Sequence, residues 1–185
     1  IFSGSTHAWI NGSARVMSQF AQGFAASATG LYAHASGTNV TASGAFSNAQ
    51  NRLTVASATC SSAEGEGTTA SGTASHAEGM LSIATNLTAH AEGYNTSATS
   101  NYSHAEGYGT SAESTAAHAQ GYLTTASGLY AHAEGRQNNA SGNSAHAEGQ
   151  ASAASGDVAH AEGYGCTASG YASHAGGFES TASGL

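Results

Sequence analysis

Alanine occupies every seventh position from Ala14 to Ala182, and this period organises the pattern of small and polar residues along the chain. The residue two places before each alanine is usually small as well, as at Ser75, Ser103 and Ala117. The residues on either side of the alanine are mostly polar. Small and polar positions that alternate in this way predict short strands, each with a small-residue face turned inward.

The phrases around successive alanines alternate, so the true repeat has 14 residues. One half is typified by His-Ala-Glu-Gly at 104–107 and the other by Thr-Ala-Ser-Gly at 125–128. A seven-residue period is also typical of coiled coils, but glycine stands two places after most of the alanines. Each glycine inside a helix costs about 1 kcal/mol, whereas glycine is common at turns where φ is positive. The repeat therefore indicates a solenoid rather than a coiled coil.

We predict an all-β fold: a parallel β-solenoid with 14 residues per coil, two short strands per coil and a glycine corner after each strand. The alanines line the inside of a thin coil, and the polar residues beside them point outward. About thirteen coils, spaced by about 4.8 Å, would form a rod roughly 60 Å long.

Two stretches depart from the repeat. Residues 1–12 are out of register and contain the only tryptophan, which predicts an irregular leading segment or cap before a repeat region covering 13–185. Asn51 and Ala58 replace the usual glycine, which predicts an irregular or bulged coil near 46–62. Because the sequence begins without Met and stops inside a repeat, we expect it to be a piece of a longer protein.

Large apolar residues are scarce, since Leu, Ile, Val and Phe together make up 19 of 185 residues. A lumen of alanine, serine and threonine buries little apolar area, while ordering the chain costs about 1–2 kcal/mol per residue. We therefore expect several chains to associate along their length. One column of aromatic residues just after the glycine of the histidine half is predicted to make these contacts, the alternative being a ladder that stacks only on its own neighbours. Its members are Tyr94, Tyr108, Tyr122, Tyr164 and Phe178.

Coils of the form small-x-Ala-x-Gly-x-x, twice over, resemble the head repeats of YadA-like trimeric autotransporter adhesins across residues 13–185. The His-Ala-Glu-Gly wording is also similar to repeats in tail-fibre and appendage proteins of phages of Gram-positive bacteria. The resemblance implies left-handed parallel β-rolls that lie side by side as a parallel homotrimer. In those adhesins Val and Ile tend to flank the alanine of one strand and face the trimer interior, whereas His and Glu stand there in this chain.

The resemblance implies a non-enzymatic structural segment, a rigid trimeric rod for attachment to a host cell or surface. Two settings stay open, a bacterial surface adhesin and a phage tail-fibre shaft, and both are extracellular, on a cell surface or a virion. We expect the chain's partners to be its own copies, with a surface receptor bound through another domain, because nearly identical coils offer no distinct pocket.

Charge and hydropathy argue against two further functions, nucleic-acid binding and membrane insertion. The chain has only three Lys and Arg residues against eleven acidic ones, a net charge of −8, so it cannot neutralise a run of phosphates on a nucleic acid. It contains no apolar run of about 18 residues, so we expect no membrane insertion by this segment.

The phrase Ser103-His104-Ala105-Glu106 contains the residue types of a hydrolytic site, but strand alternation sends Ser103 inward and His104 outward. A nucleophile needs its base within about 2.6–3.2 Å. The phrase also recurs in most coils, whereas an active site has unequal members. We therefore expect no enzyme and no catalytic residue.

The recurring histidines form one column beside a column of glutamates. We expect a polar ladder, with the glutamates raising the histidine pKa above about 6.5 and stability greatest in mildly acidic solution. The sharper alternative is a site for zinc, nickel or iron, for example with three histidines around a threefold axis; no other cofactor is expected. The predicted metal ligands are His76, His90, His104, His118, His132, His146 and His160.

Columns of threonine and serine on the second strand resemble the hydroxyl rows of solenoid ice-binding proteins, for example at Thr125 and Ser127. The alternative is an ordinary wet strand face, since hydroxyl residues suit strands. Cys60 and Cys166 lie about seven and a half coils apart, roughly 36 Å, so they are not expected to pair, and Cys166 is predicted to be a packed thiol.

Overall fold

The computed structural model describes residues 19–184, and in this range the chain is an all-β parallel solenoid without helices. The strands form two sheets of 12 strands each, and the chain passes from one sheet to the other after every strand. The fold class predicted from the 14-residue repeat, with two short strands in each coil, is therefore confirmed.

The first sheet, called the long-strand sheet, consists mainly of five-residue strands. Its members are Phe20–Gln22 (β1), His34–Thr38 (β3), Asn48–Arg52 (β5), Ser62–Glu66 (β7), His76–Met80 (β9), His90–Tyr94 (β11), His104–Tyr108 (β13), His118–Tyr122 (β15), His132–Arg136 (β17), His146–Ala147 (β19), His160–Tyr164 (β21) and His174–Phe178 (β23).

The second sheet, called the short-strand sheet, consists of two-residue strands. Its members are Ser27–Ala28 (β2), Thr41–Ala42 (β4), Val55–Ala56 (β6), Thr69–Ala70 (β8), Ile83–Ala84 (β10), Ser97–Ala98 (β12), Ser111–Ala112 (β14), Thr125–Ala126 (β16), Asn139–Ala140 (β18), Ala153–Ala154 (β20), Thr167–Ala168 (β22) and Thr181–Ala182 (β24).

Every strand pairs in parallel with the equivalent strand one coil away. His90 pairs with His104 in the long-strand sheet, and Ser97 pairs with Ser111 in the short-strand sheet. Because equivalent residues lie directly above one another, each residue type forms a column along the rod. The backbone hydrogen bonds between coils run parallel to the rod axis, and the spacing between strands is about 4.8 Å.

The inside of the coil is lined by the alanines of the seven-residue period, as the sequence predicts. Ala91, Ala98 and Ala105 have no exposed surface, and the small residue two places before each alanine, such as Ser103, is also buried. The largest fully buried side chain is Val40. The lumen is thus a narrow core filled by small side chains.

The corners differ from the prediction. The residue at each corner that adopts positive φ is usually not glycine, as at Tyr102 (φ 60°) and Leu123 (φ 54°).

 

A left-handed conformation costs such residues about 1–2 kcal/mol, and hydrogen bonds between coils hold it in place. The backbone N–H of Tyr102 donates to the carbonyl of Leu87, and that of Leu123 donates to the carbonyl of Tyr108.

The glycines serve a different purpose from the one expected, because they permit close approach between coils. Gly107 lies inside β13 with φ +111°, and a Cβ atom there would come within 2.2 Å of the carbonyl oxygen of Gly121. Gly142, in the other half of the repeat, does not have positive φ, yet a Cβ atom there would lie 2.0 Å from the carbonyl oxygen of Gly156. The prediction of glycine corners is therefore right about the need for glycine and wrong about its position.

The bulge expected near 46–62 is absent, and this prediction is wrong. β5 pairs in register with β3 and β7 through all five residues, and β6 pairs with β4 and β8. Asn51 takes the place of glycine with φ 82°. Asparagine tolerates positive φ better than most residues, so the ladder continues without an extra residue. The segment 1–12, predicted to be a leading segment or cap, lies outside the described residues.

The two cysteines are both unpaired, as predicted. Cys166 is fully buried in the lumen, and its Sγ lies 3.4 Å from the carbonyl oxygen of Gly177. Cys60 is exposed at a corner with φ 59°.

Four threonines in the lumen provide a test of the packing. Their buried Oγ1 atoms have no hydrogen-bond partner among the described residues, and Val40 occupies the same column. We expect Thr68→Val to raise the free energy of unfolding by about 1 kcal/mol, because it removes an unpaired buried hydroxyl at nearly constant shape. Denaturant unfolding of the full chain measures this change. The four are Thr54, Thr68, Thr96 and Thr110.

Thr124 is the matched control, since it lies in the same column but its Oγ1 donates a hydrogen bond to the carbonyl of Gln120 at 3.1 Å. Thr124→Val should give no gain in stability, because it removes a hydrogen bond that is made. Equal stabilisation by both substitutions would mean that the hydroxyl of Thr68 is not the cause.

Candidate binding face of the long-strand sheet

The outer face of the long-strand sheet carries three parallel columns of side chains, because residues one, three and five of each strand point the same way. The histidine column comprises His76, His90, His104, His118, His132, His146, His160 and His174. The glutamate column comprises Glu64, Glu78, Glu92, Glu106, Gln120, Glu134, Glu148 and Glu162. The aromatic column comprises Tyr94, Tyr108, Tyr122, Tyr164 and Phe178.

The imidazole rings of the histidine column form one continuous stack. Successive ring centroids lie 4.7–5.0 Å apart, and successive ring planes are within 9° of parallel. His34 occupies the same position in the repeat, but Asn48 and Ser62 separate it from the stack. Its Nδ1 atom lies 3.0 Å from Oδ1 of Asn48.

The glutamates lie alongside the stack, and their direction changes along the rod. Glu78 approaches the histidine of its own coil, with 3.5 Å between its Oε2 and Nε2 of His76. Glu162 instead approaches the next coil, with 3.1 Å between its Oε1 and Nε2 of His174. The change occurs at Glu134, whose carboxylate oxygens lie 3.9 Å from Nε2 of both neighbouring histidines.

Most of the Nε2 atoms in the stack are cut off from water. Six of them have no hydrogen-bond partner among the described residues and almost no accessible surface. Buried polar atoms without a partner are uncommon in proteins, and each one calls for an explanation. The six atoms belong to His76, His90, His104, His118, His132 and His146.

The stacking also decides the direction of the pKa shifts. Burial lowers the pKa of His90, His104, His118 and His132, and the neighbouring imidazoles lower it further. The nearby glutamates act in the opposite direction without outweighing these two causes. The expectation of raised histidine pKa values is therefore wrong for these four residues, and the fold favours the neutral form of their imidazoles.

Three groups of side chains on this face bring possible metal ligands together, with one ligand atom from each residue within 4.8 Å of the others. Four of the predicted ligands, His104, His118, His146 and His160, belong to these groups, whereas the other three do not. The glutamates that complete each group were not among the predicted metal ligands, although their spacing of two residues from histidine places them on the same face. The groups are His104–Glu106–His118, Glu134–His146–Glu148 and Glu148–His160–Glu162.

Ser103 and His104 do not form a catalytic pair. The Ser103 hydroxyl is buried in the lumen and donates a hydrogen bond to the carbonyl of Ser100 at 2.7 Å. The His104 ring lies on the outer face, in the stack between His90 and His118. The prediction that the Ser103 side chain points inward and the His104 side chain points outward is thus confirmed.

The aromatic column stacks within the chain and yet stays substantially exposed. The rings of Tyr94, Tyr108 and Tyr122 follow one another with centroids 5.0 Å apart, and the Arg136 guanidinium lies 5.8 Å from the Tyr122 ring centroid. Because the rings remain exposed, a ring that stacks on its neighbours within the chain can also contact another chain. Contact between chains through this column stays a prediction.

The outer face of the short-strand sheet carries the threonine and serine columns. Ile83, Asn139 and Ala153 interrupt the row that contains Thr125, and Glu113 interrupts the row that contains Ser127. The hydroxyl of Ser111 donates to Glu113 at 3.0 Å. Ice binding by these rows stays a prediction.

No protein-family model and no curated protein matches the sequence. Within the described residues, no helix has the length and apolar character needed to cross a membrane.

Proposed function

We propose that this chain is a non-enzymatic segment of an extracellular attachment fibre, in which three parallel copies form a rigid rod on a bacterial surface or a virion. The observation that carries the proposal is the uniform register of both sheets across residues 19–184, in which each coil repeats the one before it. Such a structure sets length, and its nearly identical coils offer no distinct anchor for selective recognition. A receptor is then bound by another domain.

The distribution of large apolar residues supports association. Among the described residues, 21 large apolar side chains are at least 39 % exposed, while the lumen holds mainly alanine and small polar residues. Exposed apolar surface arranged in continuous patches is typical of interaction sites. A second and a third copy of the same chain fit because they carry the same columns at the same spacing.

The sequence resemblance to the head repeats of trimeric autotransporter adhesins supports the number of copies. In this proposal each chain is a left-handed β-roll, and the aromatic column from Tyr94 to Phe178 contributes contacts between chains. The similar wording of phage tail-fibre repeats supports the same kind of rod, with a virion in place of the bacterial surface.

Sedimentation equilibrium of the full chain tests the trimer, and removal of residues 76–117 tests the modular rod. The deletion removes three whole coils and joins Ser75 to His118 in register. Because solenoid coils contact mainly their neighbours, we expect the shortened chain to fold and to remain a trimer. Its rod should be about 14 Å shorter by small-angle X-ray scattering.

The combined variant Tyr94→Gln, Tyr108→Gln and Tyr122→Gln should dissociate while keeping its β circular dichroism. Replacement of Ser97, Ser111 and Thr125 by glutamine, on the outer face of the short-strand sheet, is the matched control and should leave the trimer intact. A well-folded monomer of the unaltered chain at micromolar concentration would contradict the proposal.

A further inference from the structure

Two imidazoles and one carboxylate converge between two successive coils in the middle of the rod. His104 pairs with His118, and one ligand atom from each of these residues and from Glu106 lies within 4.8 Å of the other two. The next position in the glutamate column is Gln120, so this group contains two histidines and a single carboxylate, whereas the other two groups contain one histidine and two carboxylates.

The Nε2 atoms of His104 and His118 lack the hydrogen-bond partner or water contact that a polar atom in a protein normally has. Neither atom is accessible to water, and neither has a hydrogen-bond partner among the described residues. The two rings are stacked, with their centroids 4.8 Å apart and their planes 8° from parallel. The two nitrogen atoms are therefore held at the same edge of the stack, where one cation can satisfy both.

We propose that His104, Glu106 and His118 of a single chain bind one divalent transition-metal ion, Zn²⁺ in particular, through the two Nε2 atoms and one carboxylate oxygen. Two histidines and one glutamate form a three-ligand set that zinc uses in proteins, with a fourth position left for water. The ligands all come from one chain, in contrast to the expectation of three histidines around a threefold axis.

The geometry requires a small adjustment. Zinc–nitrogen bonds of about 2.0–2.1 Å allow the two Nε2 atoms to be at most about 4.2 Å apart. The ligand atoms lie within 4.8 Å of one another, so rotation of the side chains has to close a gap of at most about 0.6 Å. The same rotation has to turn the two nearly parallel rings until both nitrogen lone pairs point to the ion. The proposal does not depend on the fibre function, because the ligands belong to one chain.

Calorimetric titration of the full chain with Zn²⁺ near pH 7.5, after removal of metals by a chelator, tests the site. We expect one tight site per chain, and elemental analysis should count one zinc per chain rather than one per three chains. His104→Gln or His118→Gln should weaken binding by at least about 100-fold, because even outer partners of metal ligands contribute about 10- to 100-fold. Glu106→Gln, which is nearly isosteric, should weaken binding as well.

His90→Gln is the matched control, since His90 stands in the same stack directly beside His104 but belongs to none of the three groups. It should bind zinc like the unaltered chain, as should Glu148→Gln, which removes the carboxylate shared by the other two groups. Circular dichroism confirms that each variant is folded, and Glu106→Gln keeps the test decisive if a histidine variant is not. The absence of tight binding, or equal losses in His90→Gln and His104→Gln, would overturn the proposal.

Discussion

Replacement of Gly107 by alanine is expected to disrupt the middle of the solenoid. The new Cβ atom would lie 2.2 Å from the carbonyl oxygen of Gly121 and 3.0 Å from its carbonyl carbon. In addition, φ at this position is +111°, which side chains rarely adopt. The obstacle is the backbone of the next coil, which cannot move without breaking the ladder. We expect the free energy of unfolding to fall by on the order of 4 kcal/mol or more, in the range of the most damaging substitutions.

Gly109→Ala is the matched control two residues further on. Gly109 has φ +62°, and its nearest neighbour is the flexible end of the exposed Leu123 side chain. Alanine is found at equivalent corners, for example at Ala151 with φ 55°. This substitution should cost about 1 kcal/mol. Denaturant unfolding compares the two variants, and similar losses in both would refute the role given to close contact between coils.

Acid is expected to destabilise the protein as the pH falls below about 6.5, the ordinary pKa of histidine. Histidine in the unfolded chain titrates near about 6.5, whereas His90, His104, His118 and His132 have lowered pKa values in the folded chain. Below about pH 6.5 the unfolded chain therefore binds more protons, which favours unfolding. The stability from these residues is fully present above about 6.5 and declines until the pH has passed below the folded pKa values.

The pKa shifts of the four histidines have the same sign, so each residue contributes in the same direction to the loss of stability in acid. Thermal melting at a series of pH values, with a chelator present, measures the effect. Replacement of the four histidines by glutamine should flatten the profile over this range. A melting temperature that is equal or higher at pH 5 would contradict the prediction.

The solenoid itself is predictable because its cause is local and repeated. The period of Ala91, Ala98 and Ala105 determines which residues point inward, and a thin lumen admits few other arrangements. The same alternation places Ser103 inside and His104 outside, so the hydroxyl and the imidazole of that phrase do not face each other. These inferences need only the direction of side chains along a strand.

The corners and the charge state of the stack could not be predicted in this way. Tyr102 adopts positive φ because hydrogen bonds from its backbone to the preceding coil stabilise a conformation that its own side chain disfavours. The pKa of His104 depends on how deeply stacking buries each ring, and Glu106 counts only as one neighbouring charge among several. Such balances arise from distances between coils, and a repeat pattern does not contain them.

The candidate metal site could be predicted from the sequence only in part. The sequence places histidine and glutamate on one face, but it does not indicate in which coil a carboxylate approaches two imidazoles at once. That depends on the direction in which each glutamate leans, which changes at Glu134.

The direction of the hydrogen bonds between coils also has a mechanical consequence. Tension along the rod pulls directly on these bonds, so coils at a loaded end are expected to detach one after another. A coil occupies about 4.8 Å of the rod, but the 14 residues between paired positions such as His90 and His104 extend to roughly 46–50 Å once released. A detached coil thus spans about ten times the length that it occupied in the rod. Under a pulling force the rod would yield in steps and dissipate energy before the chain itself is broken.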